Sequence, residues 1–295
     1  MASDLRIGDL LATAAGPTFS FEFFPPKDDS GKRLLTRTVA ELEELRPDWV
    51  SVTYGASGSS RERTLDATMS ILASSDLTVM GHLTCTGQSV DELKAVIDAY
   101  GDAGVHNILA IRGDMPGGPT EPWQPHPHGL RNATELVELV ASRGPYSIGV
   151  AAFPDGHSTS TLEQDTQILL GKQQAGASFA VTQLFFVLEH YFELVARARR
   201  AGVTMPIVPG IMPVTSIGQL GRFTEMAGTD IPDSVTEPLR AAADDPARVR
   251  QLGLQIAAEL CEGLLTGQAP GLHFFTLNRS TASREILAML LARQR

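Results

Sequence analysis

Cysteine is nearly absent: Cys85 and Cys261 are the only two in 295 residues, too few and too far apart for a disulfide framework or a thiolate metal site. No apolar run approaches the about 18 residues that a membrane span needs. The stretch from Met1 to Gly16 carries one Arg and two Asp before a short Leu/Ala run, without the basic start and long apolar centre of a signal peptide. An excess of positive charge is missing as well. Lys and Arg number 24 against 34 Asp and Glu, a net charge of -10 that disfavours a nucleic-acid partner. These absences leave a globular chain with no membrane or nucleic-acid role, expected in the cytoplasm.

What is present is a repeated alternation. Short β-branched or aromatic runs stand at Thr18–Phe24, Trp49–Tyr54, Thr78–Cys85, Asn107–Arg112, Ser147–Phe153, Phe179–Phe186, Ile207–Ile211 and Leu272–Leu277. Amphipathic stretches fill the gaps at Leu34–Leu45, Arg61–Ser74, Val90–Tyr100, Ala133–Ser142, Thr161–Ala175 and His190–Ala201. Three more follow: Ser216–Met226, Pro238–Leu265 with a break at Asp244-Asp245-Pro246, and Thr281–Ala292. Alternation at this spacing predicts a parallel sheet. Eight such units without a linker predict one closed α/β barrel, (β/α)8, over 1–295, preceded by a short amino-terminal helix. An open doubly wound sheet would want a glycine fingerprint after its first strand, and Glu22-Phe23-Phe24-Pro25-Pro26 is nothing like one.

A closed barrel of this kind collects its chemistry at the carboxyl ends of the strands. Polar residues stand there in seven of the eight units: Glu22, Thr53 with Tyr54, His82 with Thr84, Arg112 with Asp114, His157, Gln183, and Asn278 with Arg279. Glu22 is the focus. As a strand, the first run sets Phe19, Phe21 and Phe23 on one side and Ser20, Glu22 and Phe24 on the other. Pro25 and Pro26 then end ladder pairing. The carboxylate is either a wet rim group or a desolvated acid whose pKa is raised toward neutrality. His126 and His128 lie among prolines without carboxylate company, so no metal site is expected.

Seven blocks carry a family resemblance. Phe21-Glu22-Phe23-Phe24-Pro25-Pro26, Val50-Ser51-Val52-Thr53-Tyr54-Gly55-Ala56, His82-Leu83-Thr84-Cys85 and Arg112-Gly113-Asp114 come first. Thr182-Gln183-Leu184-Phe185-Phe186, Pro209-Gly210-Ile211-Met212-Pro213-Val214 and His273-Phe274-Phe275-Thr276-Leu277-Asn278-Arg279 follow in the same order. Together they resemble methylenetetrahydrofolate reductase, catalytic barrel only, as in the bacterial form. That family carries a hydride from NADH or NADPH, through bound FAD, to 5,10-methylenetetrahydrofolate. The resemblance implies Glu22 as the general acid that opens the folate ring, and Asp114 beside flavin and pterin. A Glu hemmed by phenylalanines can remain partly protonated at pH 7, consistent with that task. The resemblance also implies Gln183, Gln219, Phe223 and Arg279 on the folate, Phe223 by ring stacking and Arg279 at the glutamate tail. Ordinary helix packing for Phe223 and a surface ion pair for Arg279 are the alternatives.

The same resemblance assigns Thr53, His82, Arg112, Gly113, Asp114, Ala133, Phe153, His157, Asp165 and Lys172 to the flavin. Four departures stand among them. Asn132 precedes Ala133 where the family has Tyr, Phe153 replaces a Tyr, and Ile168 and Gly171 stand where an Asn and a basic residue are usual. Each buried donor lost costs about 1–3 kcal/mol. The expectation is therefore weak flavin binding or none, with hydride passing directly from nicotinamide to folate. The competing readings are a folate-binding barrel with little or no turnover and a folate-dependent methyltransferase. The choice between NADH and NADPH, and a homo-oligomer, stay open.

Overall fold

The computed structural model describes residues 5–54, 61–115, 117–118, 121–227, 231–279 and 281–293; Gly55 and Ala56 of the second block lie outside them. Eleven helices and nine short strands occur among the described residues. The first four strands are β1 (Thr18–Phe23), β2 (Trp49–Val52), β3 (Val79–Thr84) and β4 (Asn107–Ile111). The others are β5 (Ser147–Ala152), β6 (Phe179–Thr182), β7 (Ile207–Val208), β8 (Gly210–Ile211) and β9 (Gly271–Phe275). All pairings are parallel, in the order β7-β6-β5-β4-β3-β2-β1-β9-β8.

The two ends of that order meet at Pro209. β7 pairs with β6 and β8 with β9, and the Pro209 carbonyl between them accepts from His273 N at 2.9 Å. β7 and β8 thus form one seventh strand interrupted at a residue with no N–H of its own. The ring closes as an eight-membered (β/α)8 barrel. The expected run Phe179–Phe186 is shorter than predicted, because Gln183–Phe186 leaves the ladder to form the loop above β6.

The helices on the outer face are α2 (Asp29–Glu43), α3 (Arg61–Ser74), α4 (Val90–Asp102), α5 (Ala133–Arg143), α6 (Leu162–Gln174) and α7 (Leu188–Arg200). After the seventh strand come α8 (Gly218–Ala227), α9 (Asp233–Ala241) and α10 (Pro246–Thr266), and α11 (Thr281–Arg293) follows β9. Their starts are chemically marked. Asp28 accepts from Gly31 N at 2.7 Å, Ser89 with Glu92 and Thr161 with Gln164 form reciprocal boxes, and Asp245 caps α10 just before Pro246. The predicted break at Asp244–Pro246 is therefore real. Pro238, expected to open that helix, instead lies inside α9, which begins at Asp233.

Alternation along the strands separates two cores. Phe21, Phe23, Val50 and Val52 point outward and pack under the helices, where α2 offers Leu35, Val39 and Leu42 at helical spacing. Each such buried side chain contributes about 1.5–3 kcal/mol. Trp49, Met80, Leu109, Phe179, Val181 and Val208 cluster with α1 (Ile7–Thr13), which closes the lower end. The first N–H groups of that helix lack partners within it. Asn107 Oδ1 accepts from Ile7 N at 2.8 Å and Ser147 Oγ from Gly8 N at 2.9 Å. Gly8 is required there, since a β-carbon would lie 2.6 Å from Ser178 Oγ. The lower end is thus sealed, and the upper end holds the cavity.

Candidate active site

A cavity of about 1960 Å³ opens at the carboxyl ends of the strands. Glu22 lies at its floor, and the parallel register explains how. Ser20 sits opposite His273 and Glu22 opposite Ser51 and Phe275, so the inward residues of β1, β2 and β9 meet. Glu22 Oε2 is 3.3 Å from His273 Nε2 and accepts from Ser51 Oγ at 3.4 Å. His82 Nε2 lies 3.3 Å from the same oxygen without hydrogen-bond alignment.

This surround differs from the predicted one. Phe21 and Phe23 face the helices, and the neighbours of the carboxyl group are imidazoles. Burial pushes Glu22 up, but the two imidazoles outweigh it and hold the carboxyl down at about 2. Burial in turn pushes His273 below the ordinary histidine value, against the pull of Glu22. The resting group is a carboxylate.

A second contact bears on where the proton lies. Ser20 Oγ is 2.8 Å from His273 Nδ1 and 3.3 Å from the Leu272 carbonyl. With the proton of a neutral His273 on Nε2, Glu22 accepts from it and Ser20 Oγ donates to Nδ1. Trp49 stacks on His273 with ring centres 4.6 Å apart and planes 11° apart, holding the ring in that orientation. Ser51 and His273 were missed as partners of Glu22, and Ser20 as the partner of His273. Their place on the inward face of their strands was the available signal.

Of the other folate candidates, Gln183, Gln219 and Arg279 line the cavity with Asp114. Gln183 Oε1 accepts from Leu184 N at 2.8 Å. Gln219 Oε1 accepts from Thr215 N, Thr215 Oγ1 and Ser216 N at 2.7–3.0 Å, which leaves its NH₂ as the group it can offer a ligand. Phe223 does not join them. It is 1% exposed, packed among Leu220, Ile231, Val235 and Leu239, so the helix-packing alternative is the one observed. The face of α8 at the cavity carries Gln219 and Arg222, the latter unforeseen.

The β4–β6 side of the cavity holds the flavin candidates Arg112, Gly113, Asp114, Ala133, Phe153, His157, Asp165 and Lys172. Gly113 has φ +80°, and a β-carbon there would meet Thr86 Oγ1 at 2.4 Å, so Arg112-Gly113-Asp114 turns only with glycine. Arg112 lies over Trp123, 5.2 Å from the ring centre, and donates to the Gly113 carbonyl at 3.3 Å. Asp165 accepts from His157 N at 2.7 Å and from Ser160 Oγ. Lys172 is buried, donates to the Ala151 carbonyl at 3.1 Å, and is pushed down to about 8 by desolvation. Desolvation likewise lowers His157, with help from Arg112. Asn132 Oδ1 is used as the cap of α5, accepting from Glu135 N at 3.1 Å, with Ala133 buried beside it. Phe153 meets the His157 ring edge-on at 4.9 Å, Ile168 is 46% exposed, and nothing lies within 4 Å of a β-carbon on Gly171. On the β2–β3 side, Thr53 Oγ1 is buried without a partner and His82 stands over Glu22.

No group of three or more His, Cys, Asp or Glu among the described residues is placed to hold a metal ion. No described helix is long and apolar enough to cross a membrane.

Known proteins resolve the family. The methylenetetrahydrofolate reductase family model matches residues 6–291. The 5,10-methylenetetrahydrofolate reductase of Escherichia coli K12 is 34% identical over 268 residues, covering 90% of this chain and 88% of its own. Methylenetetrahydrofolate reductase (NADH) 1 of Zea mays is 33% identical, with 97% of this chain covering 51% of that longer protein. In fold, the chain is similar to a Clostridium thermocellum protein that binds two copies of 5-methyl-5,6,7,8-tetrahydrofolic acid, with TM-score 0.62, 13% identity, and 95% and 96% of the two chains covered. The match along nearly the whole chain, on a closed barrel with its polar groups gathered at one mouth, makes this chain a member of the methylenetetrahydrofolate reductase family.

Proposed function

We propose that this chain reduces 5,10-methylenetetrahydrofolate to 5-methyltetrahydrofolate, taking the hydride directly from a reduced nicotinamide, with Glu22 as the general acid. One observation carries the catalytic part: a buried carboxyl on the cavity floor, tied to His273 and facing His82.

The chemistry needs one proton and one hydride. The proton goes to the folate nitrogen whose bond to the bridging carbon breaks, leaving an iminium at the other nitrogen. The hydride then enters that carbon, and the nicotinamide leaves oxidised. Glu22, a carboxylate at rest, takes up a proton from solvent as the ligands enter and passes it to that nitrogen, with His273, stacked on Trp49, as its hydrogen-bond neighbour. Covering the mouth removes the remaining water, which favours the protonated carboxyl. Gln183 and the NH₂ of Gln219 orient the pterin, and Arg279 takes the glutamate carboxylates.

The residues on the β4–β6 side do not fit a resident flavin. Three polar groups there are bonded to the protein itself: Asp165 to its own loop, Lys172 to Ala151, Asn132 to its helix. The departing positions offer a benzyl ring, an isoleucine and a bare backbone. The cavity instead suits two ligands at once, since single drug-sized ligands fill about 300–1,000 Å³. A relative named for NADH favours NADH over NADPH as the donor.

Purified protein assayed for folate-dependent oxidation of NADH and of NADPH tests this. Turnover with intersecting initial-rate lines, and no absorbance near 450 nm, is the expected result. Parallel lines with a flavin band that survives gel filtration overturn the flavin-free mechanism. Folate binding without turnover supports the binding-protein reading instead.

A further inference from the structure

Among the described residues, six buried side-chain polar atoms lack a hydrogen-bond partner, and three of them gather at the upper ends of β2 and β3. These are Thr53 Oγ1, His82 Nε2 and Thr84 Oγ1. Val52 lies opposite Gly81, so Thr53 comes level with His82, and Thr84 follows two residues on along the same face. Buried polar groups are ordinarily paired, so a cluster that is not asks for a use. His82 is 4% exposed, lines the cavity, and brings Nε2 within 3.3 Å of Glu22 Oε2. Its backbone is pinned from outside the barrel. The Tyr100 hydroxyl donates to the His82 carbonyl at 3.0 Å, and a β-carbon on Gly81 would lie 2.5 Å from the Tyr100 ring.

The carboxyl group needs a proton at a moment when the cavity mouth is covered. A proton already stored on the floor meets that need. His273 does not store it: the ring is 0% exposed, and both nitrogens are engaged, Nδ1 with Ser20 and Nε2 with Glu22. On β4 the residues opposite His82 and Thr84 are Leu109 and Ile111, which carry no proton to give. Among the described residues, only His82 joins a ring nitrogen at Glu22 to the cavity and leaves that nitrogen unpaired. Its poor alignment with Oε2 is what a resting site shows, since catalytic hydrogen bonds commonly tighten only once substrate is bound. The Thr53 and Thr84 hydroxyls beside it can each accept and donate, as a path for protons requires.

Resting on the folate reading above, we propose that His82 is the proton relay of the reaction, charged from solvent while the mouth is open and discharged to Glu22 when it closes. In the open site an imidazolium at His82 faces the Glu22 carboxylate. Exclusion of water disfavours both charges, and a neutral pair replaces the ion pair. The Nε2–H bond of the imidazolium breaks, an Oε2–H bond forms, and the ring is left neutral with its proton on Nδ1. A half-turn about the last torsion of Glu22, a broad two-fold one, then presents the proton to the folate nitrogen. Solvent recharges the ring after product leaves.

The test is steady-state oxidation of NADH at saturating 5,10-methylenetetrahydrofolate by the unmutated protein, His82→Gln and His82→Ala, with 5-methyltetrahydrofolate binding measured on each. The two roles open to His82 predict opposite signs. A ring that only held the carboxylate charged would, once removed, ease protonation of Glu22, and turnover would hold or rise. Loss of a relay is expected to lower kcat about 10–100-fold in His82→Gln. Affinity for 5-methyltetrahydrofolate should change by less than about twofold, which shows that the site is intact. In His82→Ala, added imidazoles are expected to restore turnover in the order of their acidity, whereas a ring that merely filled the gap would do so in the order of size. Turnover in His82→Gln equal to or above that of the unmutated protein overturns the relay, as does a loss in His82→Ala that no imidazole repairs. Absence of NADH oxidation in the unmutated protein refutes the folate reading itself, a result seen without any variant.

Discussion

The two sides of the cavity mouth are built on opposite electrostatic plans. Above β1, β8 and β9 the charged lining residues Lys27, Arg222, Arg250 and Arg279 are cations, Arg250 being paired with Glu285, and the floor beneath holds an acid tied to imidazole. Above β4, β5 and β6 carboxylates outnumber cations, and Asp165, Lys172 and Asn132 are bonded to their own loop, strand or helix. A barrel mouth binds through groups left unsatisfied by the fold. The first side therefore presents positive charge to the cavity, while the second spends several of its polar groups on the fold itself.

The largest effect that would break this comparison is at the floor. Glu22→Gln is expected to lower turnover about 10²–10⁴-fold while folate still binds, read by steady-state NADH oxidation and by titration with 5-methyltetrahydrofolate. An unchanged rate would remove the acid from the first side altogether. Next comes the rim. Arg279→Gln is expected to weaken folate about tenfold or more, the worth of a charge-assisted bond, with the KM for the nicotinamide unchanged.

A third effect is on stability. The folded-state pKa of Glu22, about 2, lies below its ordinary 4.5, so the carboxylate contributes stability above that range that is lost as pH falls through both values. The loss amounts to about 3 kcal/mol. Urea unfolding between pH 5 and pH 2, run at about 25 °C, is expected to show a shallower decline in Glu22→Gln. A fourth, smaller effect separates two residues of α8. Phe223→Leu is expected to cost about 1 kcal/mol of stability and to move the folate KM by less than twofold, whereas Gln219→Leu raises that KM and spares stability. The smallest effect sharpens the other side. Combining Asn132→Tyr, Phe153→Tyr, Ile168→Asn and Gly171→Lys is expected to produce weak flavin retention at 450 nm, because Gly171 already has room for a side chain.

Much of this was legible beforehand. The eight-unit alternation reads as a barrel because strand and helix periodicities are local properties of the chain. The cavity residues were largely named in advance for the same reason, since carboxyl ends of strands follow from strand limits. Phe223 was harder. Its spacing from Gln219 places both on α8, but a difference of four residues leaves open which of them reaches the cavity, and packing against α9 drew the ring inward. Pro238 was misjudged because a proline that opens a helix and one lying within its early turns look alike in sequence.

By itself the sequence determined the closed ring, the position of Glu22 at a strand end, and the identities of Asn132, Phe153, Ile168 and Gly171 on which the flavin expectation turned. The tertiary structure alone decided the company of that carboxyl group. His273 stands 251 residues away, and only the parallel pairing of β9 with β1 brings it beside Glu22. A pKa is set by charges a few ångströms off in space, and chain order carries no such distance.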